Sequence, residues 1–303
     1  MRLLALVSIA AIGLPTAGSA ALCGTLATPP GTWSHVVWIF MENHSYGEII
    51  GSSDAPFVNR LARECGLATN FHNVDHPSLP NYMAATSGMP LGALGHFESD
   101  CNATPDCRTR ARSIFQLAPS WGAYEEGMPR GCYTVFTGPY AASHNPAAHY
   151  SRLSGASCFA RDVPYARLRR DLDADTLPAF VFITPSMCHS MHDCSVAVGD
   201  AWLAGAVQQL TESAAYRGGG TAIFLTWDEG SGGDKGESCA RNTSDASCHV
   251  ATVVVSPSTP PGTRTGRLYD HYALLRTTEE MLGVRPLLGR ARTARSMRAA
   301  FDL

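Results

Sequence analysis

Glu42 and Asn43 follow directly on the apolar run at 36–41 (VVWIFM), and Asp228 and Glu229 follow directly on the run at 221–227 (TAIFLTW). A charge at the end of a buried segment is costly unless something neutralises it, and two adjacent carboxylates repel. Both pairs therefore read as oxygen ligands for a shared hard cation, although each alone would also suit a surface turn. Ser78 lies between them in sequence, in HPSLPNYMAATSG. Two residues after it comes Pro80, and then a helical stretch. Proline, with no N–H and a preset φ, belongs in a helix's first turn, so Ser78 is predicted at a helix N-terminus. Free N–H groups and the macrodipole favour negative charge there, which suits an alkoxide attacking phosphorus. The plainer reading is that Ser78 merely caps the helix.

The loop SMCHSMHDC at 186–194 holds His192 and Asp193 between two cysteines that can close a stiff ring. His192 is the candidate to protonate a leaving alcohol, with Asp193 beside it. His249 stands at a predicted strand start and His271 at a predicted helix start; each divides evenly between a site role and a structural one. Together these residues supply a hydroxyl, carboxylates, a carboxamide and imidazoles. That inventory is one for metal-assisted phosphoryl transfer.

The elements that must position them alternate between apolar runs and helical patterns, as in an α/β fold with a mainly parallel sheet sandwiched by helices. Strands are predicted at 36–41, 67–71, 179–184, 221–227 and 250–256, and helices near 56–65, 78–88, 200–216 and 271–282. Several strands run straight into polar residues, and in open α/β sheets sites gather beyond the strands' carboxyl ends. Residues 89–170 are richer in Gly, Pro and Cys. They read as an irregular excursion from the sheet that forms part of the site rim.

Residues 1–20 (MRLLALVSIAAIGLPTAGSA) have the charge, apolar run and small residues of a signal peptide, leaving 21–303 as one domain. The expected location is therefore secreted, either periplasmic or extracellular, with no stable membrane anchor. Ten cysteines in an exported chain predict disulfides. Close spacing suggests Cys101 with Cys107, Cys188 with Cys194 and Cys239 with Cys248. Cys132 with Cys158 and Cys23 with Cys65 are less determined pairings, because sequence alone does not fix connectivity. The net charge of −3 and the lack of a basic run exclude electrostatic nucleic-acid binding. A 45% apolar content argues for a packed globule.

The stretches MENHSYGEIIGSSDAP, HPSLPNYMAATSG, TPSMCHSMHDC, TWDEGSGG and DHYALLRTTEEMLG resemble the bacterial phosphoesterase family of acid phosphatases and phospholipase C-like enzymes. The likeness runs from about 35 to 285 and implies an alkaline phosphatase-like core. It implies that Glu42, Asn43, Asp228 and Glu229 bind metal and that Ser78 is the nucleophile, in a hydroxyl-x-Pro-Asn pattern that makes Asn81 a substrate-binding candidate. His192 and Asp193 fall where leaving-group or further metal contacts arise, and His249 and His271 fall near later site positions. Two-metal relatives carry Asp-His in place of Asp228-Glu229, and an Asp and a His where Ser186 and Ser190 stand. One divalent or trivalent ion is thus implied, with Ca, Mg, Mn, Zn and Fe all open. The implied function is hydrolysis of small-molecule phosphate monoesters through a phosphoserine. The alternatives are a phospholipase C-like phosphodiesterase and a non-catalytic secreted binding protein on the same fold.

Overall fold

The structure is a computed structural model that describes residues 21–303, so the expected signal peptide lies outside the described residues. Nine strands form one sheet: β1 (His35–Met41), β2 (Gly66–His72), β3 (Trp121–Glu125), β4 (Asp162–Pro164), β5 (Phe180–Thr184), β6 (Thr221–Trp227), β7 (His249–Val255), β8 (Thr263–Thr265) and β9 (Tyr269–Asp270). Their order is β4-β3-β5-β1-β6-β7-β2-β8, with β9 also paired to β2. At the centre, β1 runs parallel to both β5 and β6, setting Val36 beside Phe180 and Ala222. These strands are rich in β-branched and aromatic residues and are buried on both faces, which is why they read as unbroken apolar runs.

β7 runs antiparallel to both β6 and β2. Its first residue, His249, therefore lies at the edge where the parallel strands end. That edge also receives Glu42 from β1, Asp228 from β6 and, after β2, the turn leading to Ser78.

Alternation along β1 sends Trp38 and Phe40 to one face. There Trp38 Nε1 donates to Thr278 Oγ1 at 2.9 Å, and the Phe40 ring lies 5.4 Å from that of Tyr82. Two helices thereby cover this face, Ser78–Ser87 and His271–Met281. Ser78 is the first helical residue and Pro80 sits in the first turn, as the sequence predicts. Gly88 ends the helix at φ 69°, and a Cβ there would come within 2.8 Å of the Leu288 carbonyl oxygen, so only glycine fits. A further helix pair, Pro56–Glu64 and Val196–Thr211, is joined by Asp200. Its carboxylate accepts the Phe57 and Val58 N–H groups at 2.9 Å each.

Two sequence expectations change. The segment 89–170 returns to the sheet twice, because β3 pairs with β5 and β4 with β3. WGAYE is short and interrupted by Gly122, so it lacks the continuous apolar run that marked the central strands. The helix predicted near 200–216 is two helices, because the Ser213 side chain caps a new one at Ala214–Arg217.

All five expected disulfides are present: Cys23–Cys65, Cys101–Cys107, Cys132–Cys158, Cys188–Cys194 and Cys239–Cys248. Loop-closure entropy ranks them by span. Replacing both Cys23 and Cys65, 42 residues apart, with serine is expected to lower stability by about 4 kcal/mol. The same change at Cys188 and Cys194, 6 apart, is expected to cost about 2 kcal/mol. Urea unfolding of the two double variants checks the order.

Candidate functional site

Ser78 is buried, and its hydroxyl donates to Glu42 Oε2 at 3.1 Å. The other Glu42 oxygen accepts from the Tyr82 hydroxyl, and His144 Nδ1 lies 3.3 Å from it. Asn43, held at φ 48° in the left-handed region that asparagine tolerates, donates its backbone N–H to Asp228 Oδ1 at 3.2 Å. The Ser78 hydroxyl also lies close enough to Asp228 to stabilise its charged form. Glu42 and Asp228, 186 positions apart in the chain, thus meet at one serine. Glu229 sits beside them but turns towards His76, whose Nδ1 is 2.8 Å from Glu229 Oε2. The loop after Glu229 crosses this ring so closely that a Cβ on Gly233 would lie 1.9 Å from His76 Nε2.

The electrostatics are severe. Burial pushes the Glu42 and Asp228 carboxyls well above the usual range, with their mutual repulsion and that of Glu229 adding to it. Burial also raises Glu229 to about 9, helped by Asp100 and Asp75. Burial pushes His76 down, against the pull of Asp228 and other nearby carboxylates. Burial lowers His144 to about 3 and His271 to about 4. Asn43 Oδ1 and Asp228 Oδ2 are buried with no hydrogen-bond partner. Orphaned oxygens among like charges are the donor set a hard cation takes, so these residues fit a metal. The two clusters of His, Cys, Asp or Glu with metal-like spacing among the described residues, His76/Glu237/Cys239/Cys248 and Cys132/Cys158/Asp162, contain cysteines that are closed as disulfides.

The remaining expected residues differ in their placement. Asn81 shapes the turn before Ser78: its Oδ1 accepts the Val74 and Asp75 N–H groups at 2.8 and 3.0 Å, and its Nδ2 donates to the Asp75 carbonyl at 2.7 Å. His192 bonds Asp193 at 2.7 Å, and its ring centroid is 5.7 Å from that of His144, which places the pair at the mouth. His271 is buried behind Asp228 and bonds its carbonyl through Nε2 at 2.7 Å. His249 stands apart from the carboxylates. It stacks between Tyr46 and His72, with its Nε2 3.2 Å from the Thr69 carbonyl oxygen.

Sequence reasoning missed Tyr82, His76, His144 and Asp100. Tyr82 lies one helical turn after Ser78, and that spacing alone could have flagged it. His76 lies within the quoted Ser78 motif. His144 carries no local signal, since it reaches Glu42 from within the segment assigned to the rim. The Asp100 carboxylate accepts the Leu79 N–H at 2.8 Å and lies close to the Ser78 N–H, so it occupies the helix start expected to face phosphate.

The model of the phosphoesterase family matches residues 52–285. A phosphatidylinositol-3-phosphatase of Mycobacterium tuberculosis is 28% identical over 297 residues, covering 97% of this chain and 92% of that protein. An acid phosphatase of Aspergillus niger is 27% identical over 271 residues, covering 86% of this chain but only 60% of that protein's length. Among solved structures, an alkaline phosphatase superfamily protein from Vibrio parahaemolyticus aligns over 94% of this chain and 76% of its own, at TM-score 0.56 and 13% identity. The lipoteichoic acid synthase LtaP of Listeria monocytogenes aligns over 86% of this chain and 75% of its own, at TM-score 0.60 and 11% identity. Such distant structural likeness shows the fold, which is alkaline phosphatase-like.

The raised carboxyls give the metal-free protein a defined pH response. Glu229 titrates near 9 when folded, against 4.5 as its ordinary value. A raised carboxyl pKa leaves stability intact below the unfolded value and removes it as pH climbs towards the folded one. Above pH 7 the buried histidines are neutral in both states, so the window from pH 7 to 9 isolates the carboxyls. Chelator-treated protein is expected to lose up to about 1.4 kcal/mol per pH unit for each such group there. Glu229→Gln should flatten the slope by about one such increment in urea melts at pH 7, 8 and 9. An unchanged slope would refute the assignment.

Proposed function

The chain belongs to the phosphoesterase family, and from that premise we propose that it is a metal-dependent phosphomonoesterase working through a phosphoserine at Ser78. That it is an acid phosphatase-like hydrolase of phosphoric esters follows from the family and its relatives, which sets aside the non-catalytic alternative. The observation carrying the finer reading is the meeting of Glu42 and Asp228 at the Ser78 hydroxyl, with unpartnered Asn43 and Asp228 oxygens beside it.

Glu42, Asn43 and Asp228 would hold the cation, with Glu229 next to them. When bound, the ion supplies a Lewis acid that lowers the Ser78 pKa and polarises a phosphoryl oxygen. Glu42, held by Tyr82, fixes the hydroxyl's direction and its Oε2 takes the hydroxyl proton as Ser78 Oγ attacks phosphorus in line and the ester oxygen departs. His192, oriented by Asp193, protonates that departing oxygen. Water then attacks the phosphoserine, frees phosphate and restores the hydroxyl. Monoesters are favoured over diesters because the relatives' names specify phosphatases. Five disulfides suit an oxidising, extracytoplasmic setting, and no described helix is long and apolar enough to cross a membrane.

Ser78→Ala is expected to lower kcat at least about 10³-fold while metal content and thermal midpoint stay near wild type. Wild-type-like turnover in that variant would remove the covalent step. Parallel assays on p-nitrophenyl phosphate, its bis-ester and vesicles containing phosphatidylinositol 3-phosphate test the substrate class. The proposal expects hydrolysis of the monoesters to exceed that of the bis-ester, and the reverse order would favour the diesterase reading.

A further inference from the structure

At the start of the Ser78 helix the Asp100 carboxylate accepts the Leu79 N–H at 2.8 Å and lies close to the Ser78 N–H, the donors a phosphoryl oxygen would also take. Asp100 reaches them from the tip of a short turn whose two ends are anchored. Its own N–H bonds the carbonyl of buried Phe97 at 3.1 Å, and the next residue, Cys101, is bridged to Cys107. At the tip the backbone takes φ 46°, while Ser99 is exposed and Glu98 is half-buried. The anchors set the distance of Asp100 from the helix, and exposed Ser99 lies between them.

An anion at a helix N-terminus is stabilised by the dipole and by charge-assisted bonds to the free N–H groups. A phosphoryl oxygen seeks the same two donors, and one pair of N–H groups cannot serve both anions. Asp100 moreover adds a negative charge near Glu229. A second like charge on a phosphate beside it would be repelled while the carboxylate stays in place. Lys235 lies close enough to favour the charged form of Asp100, so a displaced carboxylate has a cation nearby.

We propose that Asp100 is an intramolecular competitor for the phosphoryl-binding N–H groups of Ser78 and Leu79, and that a phosphate ester binds by displacing it. Asp100 therefore sets the affinity of the site for phosphate. This rests on the reading of Ser78 as the reacting residue, yet it concerns binding at the helix start and is separable from the covalent step.

The test is competitive inhibition of the metal-loaded, full-length enzyme by inorganic phosphate. Asp100→Asn keeps the side-chain shape and removes the charge; the inhibition constant and the KM for p-nitrophenyl phosphate are each expected to fall roughly 5- to 30-fold. Glu98→Gln removes a neighbouring charge that makes no contact with those N–H groups, and should leave both within about twofold. An unchanged or weaker inhibition constant in Asp100→Asn, or an equal fall in Glu98→Gln, would overturn the proposal. Hydrogen exchange on the wild-type enzyme decides the matter should the variant fold poorly. Saturating phosphate is expected to speed exchange across 97–103, and no change there would also overturn it. If phosphate does not compete with substrate at all, the site reading itself fails; if it competes but ignores Asp100, only this inference does.

Discussion

Three carboxylates, Glu42, Asp228 and Glu229, are buried within reach of one another, and the rest of the site is organised around that repulsion. Each would be far cheaper in water, and their pKa values rise accordingly. Such a cluster persists only if the scaffold over-determines it and a positive charge or protons compensate. Short polar contacts surround it: Ser78, Tyr82 and His144 on Glu42, the Asn43 N–H on Asp228, and His76 on Glu229. None of these partners carries a fixed positive charge, so they orient the carboxylates without neutralising them. The unpartnered oxygens of Asn43 and Asp228 are what that arrangement leaves over.

The sheet makes the cluster possible. β1 and β6 are adjacent and in parallel register, with Met41 beside Trp227, so the residue after each strand emerges at the same edge. The Asp228 N–H closes this junction on the Met41 carbonyl at 3.0 Å. The Ser78 helix then lies across Phe40, which brings its first residue to the tip of β1. Apolar packing along β1 thus aims a polar group at its end. The reversal of β7 has a different consequence. It brings His249 to the same edge, yet far enough along the sheet that the imidazole finds Tyr46 and His72 instead of the carboxylates.

The legible parts were those with a local cause. The central strands announced themselves because burial on both faces demands continuous apolar runs. The helix start at Ser78 was marked by Pro80, and three of the five disulfides by short spacing. β3 and β4 were not legible, since one is broken by Gly122 and the other spans three residues. Asn81 was read through its neighbours as a substrate contact, whereas its four hydrogen bonds to residues 74–77 hold the turn that presents Ser78. His144 and Asp100 were invisible for a common reason. Their partners lie 102 and 21 positions away, respectively, and only the folded chain brings them together.

The charge balance of the site also bears on how phosphate is recognised. Among the described residues no arginine side chain hydrogen-bonds Glu42, Asp228 or Glu229, so no guanidinium neutralises these carboxylates directly. Attraction for a dianion can come from a bound cation, from the helix start, from Lys235 near Asp100 and from whatever imidazoles are protonated. Of these, the helix start is the part built wholly from backbone, so substitutions other than proline leave its N–H groups in place. Its strength can be changed only by what else sits there. A carboxylate placed on those N–H groups is therefore the most direct means by which this fold could tune phosphate affinity, without altering the cation or the serine.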